Sequence, residues 1–391
     1  MAPFDYVNLM KSCLIPISFV ALNLLGQTLP SPAQKQIELA QIEIQKSPTR
    51  SAGYNRLALA YARRARETSD TVFYTKGEEQ LEKSFKLDPD NLEGRKNQAW
   101  IALGKHEFKK ALAIATKLNL KAPDDSSIYG ILVDAHVELG NYADAEKAVQ
   151  TMFNLRPPTV PSLTRGSYLR ELFGDLEGSI ELMTKAFDMA GYDEREDRAW
   201  MLTQVAQLER KRGRHAEAQR LVSEALKLFP DYHYALGALA RINIELGKFP
   251  EAVALEQKRY AGAPHPENLY ALAVAQQKAG LSKQAQTSFQ EFEKKSLQEM
   301  ESTDNSNHEL VFFYADFGNK PEEALKVAKL EASRRQDVNT LDAYAWALFV
   351  NEQYDEASRT MAKALAVGVK DPDILGHARK IAEKVTPPSK P

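Results

Sequence analysis

From residue 34 onward, apolar positions recur every three or four residues, the spacing that lines one face of an α-helix. Val, Ile and Thr never form the alternating runs of a strand. Gly and Pro interrupt the pattern at short intervals, and the interruptions are themselves periodic. Gly140, Gly174, Gly213, Gly247 and Gly280 follow one another at spacings of 34, 39, 34 and 33 residues. A small residue stands five positions after each: Ala145, Ser179, Ala218, Ala252 and Ala285. The series of small residues runs on to Ala111 on one side and to Ala324 and Ala357 on the other. A period near 34 built from paired helices marks a repeat architecture in which no hairpin buries its own apolar face, so each stacks on the next.

The individual repeats carry a more specific pattern. Residues 126–157 hold Tyr129, Leu132, Gly140, Tyr142, Ala145 and Pro157 in register. Residues 233–264 hold Leu236, Leu239, Ala240, Gly247, Phe249, Ala252 and Pro264. Leu202, Ala206, Gly213, Ala218, Ala225 and Pro230 match in the unit before, and Tyr54, Leu57, Ala58 and Tyr61 open an earlier one. Together these positions resemble the tetratricopeptide repeat family across about 52–370. The resemblance implies an all-α fold, a right-handed α-solenoid of about nine helix-turn-helix hairpins over 51–370. A lone helix at 34–50 precedes it, and a capping helix with a tail occupies 371–391. Small residues let paired backbones approach, glycine accepts the positive φ of the turn, and proline stops the second helix.

Some units depart from the pattern. About seven extra residues lie between Tyr61 and Gly77, and the units ending near 190 and 300 are each about five residues longer. Asn319 and Glu352 replace the turn glycine, and the first helix of the 91–123 unit fits loosely around Trp100 and Leu103.

The first 33 residues are of another kind. Cys13 to Leu25 form an uncharged, mostly apolar run of thirteen, preceded by Lys11 and followed by Ser31, Pro32 and Ala33. A membrane span needs about 20 such residues, so the run has the length of a signal-peptide core. A start at Met10 improves that reading. The expectation is a signal peptide over 1–33, cut near Ala33, and export to the periplasm or the extracellular space. The alternatives are an uncleaved membrane anchor, giving membrane contact through this segment alone, and a buried N-terminal helix.

Charge and reactive residues narrow the function. Lys and Arg number 51 and Asp and Glu 53, for a net charge of −2, which argues against nucleic acid as a partner. Cys13 is the single cysteine, so there is neither an internal disulfide nor a Cys-rich metal site. None of the seven histidines has a metal-ligand spacing on one helix. Neither a phosphate loop nor a nucleophile elbow is present. The sequence therefore offers no catalytic residues, no metal ligands and no cofactor site, and a non-enzymatic chain is expected.

In the family that the repeats resemble, fixed positions of each first helix face the concave surface. Reading them off gives Tyr168, Trp200, Tyr234, Arg241, Tyr270, Phe313 and Trp346 as candidate partner-binding residues. Aromatic and Arg side chains suit such a face, because they bury large areas with few rotamers to freeze. The chaperone-tail clamp of one family subset is absent, since Asn55 and Leu59 stand at its positions in the first unit. The expected function is a scaffold or adaptor that holds a peptide or protein partner on its concave face. The alternative is a docking or regulatory arm for an enzyme or assembly complex encoded elsewhere.

Overall fold

The computed structural model describes residues 30–385. Among these the chain is helical throughout, with no strand. The apolar run at 13–25 and the residues after 385 lie outside the described residues. Among the described residues no helix is long and apolar enough to cross a membrane.

A lone helix α1 (Pro32–Lys46) leads into nine hairpins. The first pairs α2 (Ser51–Thr68) with α3 (Val72–Leu87), the second α4 (Leu92–Gly104) with α5 (Phe108–Lys121), and the third α6 (Ser126–Glu138) with α7 (Tyr142–Leu155). The fourth pairs α8 (Val160–Leu172) with α9 (Leu176–Met189), the fifth α10 (Arg195–Lys211) with α11 (His215–Leu228), and the sixth α12 (His233–Glu245) with α13 (Phe249–Gly262). The seventh pairs α14 (Pro266–Lys278) with α15 (Ser282–Glu299), the eighth α16 (Asn307–Asp316) with α17 (Pro321–Arg334), and the ninth α18 (Val338–Val350) with α19 (Tyr354–Leu365). A last helix, α20 (Pro372–Val385), packs on α18 and α19. Ala33 is buried in the first turn of α1, where its N–H donates to Glu67 Oε1 at 2.9 Å.

The repeat positions have the geometry that their chemistry requires. The eight small residues, from Ala111 to Ala357, are each 0% exposed, so any larger side chain there would push paired helices apart. Five residues ahead of each, the backbone is left-handed. The five periodic glycines take φ between 72° and 78°, and His106, Asn319 and Glu352 take 57°, 48° and 59°. The turn is thus kept even where glycine is not. His106 holds that place in the second hairpin, which explains the loose match there. The extra residues of the first unit lengthen α2 to 18 residues, which end at Ser69 in the left-handed region. Those near 190 form a connection leading into the 17-residue α10, and those near 300 lengthen α15 to 18 residues and form the connection after it.

The solenoid curves tightly enough to meet itself. Turns inside early hairpins sit on the connections between hairpins about five units later. The α4–α5 turn meets the connection after α15, where Thr303 Oγ1 donates to the Lys105 carbonyl at 2.8 Å. The α6–α7 turn meets the connection after α17. There Gln336 N–H donates to the Glu138 carbonyl at 3.3 Å, and Val338 N–H to Tyr142 Oη at 2.9 Å. The α8–α9 turn meets the connection after α19, with Gly174 against the Gly368 carbonyl. Val338 also packs into the apolar core of the second to fourth hairpins, so this seam is not only polar.

Candidate functional site

The same tight curvature wraps the first helices of the early hairpins around a shared lumen. The first helices of six successive hairpins, α2 to α12, face a cavity of about 860 Å³, within the range of small-ligand pockets. The sequence sets which faces turn inward. Leu59, Arg63 and Arg66 share one face of α2 at helical spacing, and Trp200, Gln204 and Leu208 do the same on α10. A second space of about 300 Å³ shares Arg63, Arg66, Trp100 and Tyr234 with the first.

The structure splits the expected aromatic stripe. Tyr168, Trp200 and Tyr234 line the cavity, with Tyr168 and Tyr234 each more than a third exposed, at 38% and 36%. Desolvation of the phenol among the surrounding helices, with Glu138 and Glu171 nearby, pushes it well up even though the side chain borders open space, so Tyr168 faces the cavity as a neutral hydroxyl. Arg241 is on the same helix as Tyr234 but pairs with Asp373 of α20. Tyr270 is half-buried against Phe292, at 5.2 Å between ring centroids. Phe313 and Trp346 are core residues. Phe313 stacks on Phe289 at 5.1 Å, and Trp346 lies on His377 at 4.4 Å with its Nε1–H donated to Asp316. Their inward faces meet other helices instead of free space, so neither lines the cavity. Trp100 was missed by sequence reasoning because its unit fits the motif loosely, yet it lines both spaces.

The polar groups around the cavity are mostly paired. Arg165 grips Asp134 with two hydrogen bonds, of 2.9 and 2.6 Å. Arg66 reaches from α2 across the lumen to Glu196 and Asp197 of α10. Lys211 joins Glu171 at 2.7 Å to Asp371 at 2.8 Å. Among the described residues there is no group of His, Cys, Asp and Glu side chains arranged to hold a metal ion.

Glu138 belongs to both cavity and seam, 3.4 Å from Arg335. Burial, then Asp337 and Asp134, raises its pKa from 4.5 to about 7 against the opposing pull of Arg335. A carboxyl raised in the folded state stabilises the fold fully below its unfolded pKa, and that stabilisation is lost as the pH climbs through the folded value. Glu138 should therefore contribute about 1–2 kcal/mol at acid pH, allowing for its partial exposure, and lose this between about pH 4.5 and about pH 7. Urea unfolding of wild type and Glu138→Gln across that window should show a stability difference that drifts with pH. A constant difference would contradict the assignment.

The repeats also show in comparisons with known proteins. A family model described as tetratricopeptide repeat matches residues 205–266, which include α11, α12 and α13. No curated protein matches the sequence. Among solved structures, the chain is similar to the APC/C hetero-tetramer Cut9–Hcn1, at 12% identity and a TM-score of 0.50. That match covers 88% of this chain but 58% of that one, so the chain spans a little over half of its length. It is also similar to the human IFIT1 dimer with PPP-AAAA, at 14% identity and a TM-score of 0.53, covering 85% and 87% of the two chains. At such identities the shared property is the fold. Eight small positions in register, a left-handed turn ahead of each and the family model over 205–266 agree: the chain has the fold of a tetratricopeptide-type helical solenoid.

Proposed function

We propose that this chain is a non-enzymatic binding scaffold that holds a peptide segment of a partner protein inside its lumen. The observation that carries the proposal is the cavity of about 860 Å³ walled by the first helices of six hairpins. A space of that size takes a short extended segment and not a folded domain. Trp100, Tyr168, Trp200 and Tyr234 supply rigid aromatic surface, the kind of side chain that concentrates binding energy. Helical repeats of this family commonly serve protein–protein interaction, which supports a polypeptide ligand.

The human IFIT1 structure holds PPP-AAAA. Here the wall carries Arg63, Arg66 and Arg165 against Asp134, Glu138, Glu171 and Asp197. A polyphosphate needs a strong excess of positive charge, so this balance favours a peptide. Export is part of the proposal and rests on the apolar run at 13–25 alone.

The test is panning of a displayed random-peptide library against the wild type, followed by affinity measurement on a Tyr168→Ala, Trp200→Ala double variant. Enriched peptides are expected to bind the variant at least ten-fold more weakly, about 1.4 kcal/mol. Equal affinity for both proteins would remove the lumen as their site.

A further inference from the structure

Within that peptide reading, the charges of the cavity wall identify one group that the fold leaves uncompensated. Each carboxylate on the wall has a basic partner. Asp134 is held by Arg165, Asp197 by Arg66, Glu171 by Lys211 and Glu138 by Arg335. Of the three arginines on the wall, Arg165 and Arg66 are therefore engaged. Arg63 has no carboxylate within ion-pair distance among the described residues, and its one hydrogen bond runs to Gln36 Oε1 of α1 at 3.0 Å.

Position strengthens the case. Arg63 is half-buried on the inner face of α2, between Leu59 and Arg66, and it borders both the larger and the smaller space. Trp100, Trp200 and Tyr234 border the same two spaces. A guanidinium removed from much of its water and left without a counter-ion is costly, and a ligand that brings one recovers that cost. Its planar fork of donors matches a carboxylate with two parallel hydrogen bonds.

We propose that Arg63 is the anchor for a carboxylate of the bound peptide, whose apolar and aromatic side chains lie along Trp100, Trp200 and Tyr234. This inference rests on the peptide reading above. The carboxylate can come from a C-terminus or from an acidic side chain, and the two sources are separable.

The chain carries its own reporter. Two of its three tryptophans, Trp100 and Trp200, border the cavity, while Trp346 is in the core. The probes are three versions of one acetylated pentapeptide of glycine, leucine, tyrosine, leucine and phenylalanine. The first ends in a free carboxylate and the second in an amide. The third is the amide with glutamate in place of glycine. Tryptophan fluorescence is titrated with each, on wild type, Arg63→Gln and Arg63→Lys, and circular dichroism checks the fold of each variant.

Wild type is expected to bind at least one carboxylate-bearing peptide about ten-fold more tightly than the plain amide. Whether the free terminus or the glutamate gains identifies the source. Arg63→Gln is expected to erase that preference without changing affinity for the amide, and Arg63→Lys to restore part of it. Binding of all three peptides with equal affinity would overturn the anchor and leave the peptide reading standing. An Arg63→Gln effect of the same size on acid and amide would also overturn it. No response to any of the three would count against the peptide reading and this inference together.

Discussion

Trp346→Ala is expected to lower the free energy of unfolding by about 3–5 kcal/mol, the cost of deleting a large aromatic side chain from a packed core. The indole is 6% exposed and joins three helices. It stacks on Phe349 of its own helix α18 and on His377 of α20, and it donates to Asp316 at the end of α16. His377 in turn lies 2.9 Å from Asp342 of α18, so the loss also loosens the last helix. Trp346→Phe keeps most of the packing and is expected to cost much less. Tyr168→Ala, which opens onto an existing cavity, should stay near the small effects of surface changes, about 0.5 kcal/mol. Urea unfolding of the three variants checks the order. If Trp346→Ala were as stable as Tyr168→Ala, the indole would have to be reassigned from core to binding surface.

The second large effect is expected at the seam. Gly140 and Gly213 hold the same turn position with the same φ of 76°, but their surroundings differ. A Cβ on Gly213 would meet nothing within 4 Å, whereas one on Gly140 would come within 2.6 Å of the Gln336 carbonyl oxygen. Gly213→Ala therefore costs only left-handed strain, about 1 kcal/mol. Gly140→Ala adds the displacement of a backbone carbonyl and of the two hydrogen bonds beside it. At about 1 kcal/mol each, the total should be about 3 kcal/mol. Hydrogen exchange distinguishes the two variants further. Protection at Gln336 and Val338 should fall in Gly140→Ala and stay as in the wild type in Gly213→Ala. Equal effects at both positions would mean that the seam adds nothing to stability.

The repeat was readable because its rules are local. A residue that must fit between two backbones is small whatever surrounds it, and a turn that needs positive φ favours glycine. These demands recur in the sequence at a fixed period. His106 shows the limit of such reading, since the turn persists there with a histidine. The stripe was legible only in part. Helical spacing told which faces of α8, α10 and α18 turn inward, but not what waits inside. Tyr168 and Trp346 occupy comparable faces, and one meets a cavity while the other meets α20 and α16. The difference depends on curvature accumulated over several hairpins, and on the longer units near 190 and 300. Arg63 could not be singled out from sequence at all. Its distinction is the absence of a carboxylate partner among the described residues, and the carboxylate that engages its neighbour Arg66, that of Glu196, lies 130 positions away.

The contacts between hairpins five units apart also change what kind of object the molecule is. A repeat array joined only to its nearest neighbours behaves as a one-dimensional chain, able to fray from either end one unit at a time. Here the terminal hairpin is held from the side as well, through the Gly174 turn against Gly368, and the eighth and ninth through Gln336 and Val338. Peeling back the C-terminal end would expose the middle of the molecule along with the next repeat. Such cross-links couple distant repeats into one melting unit and turn a spring into a closed coil.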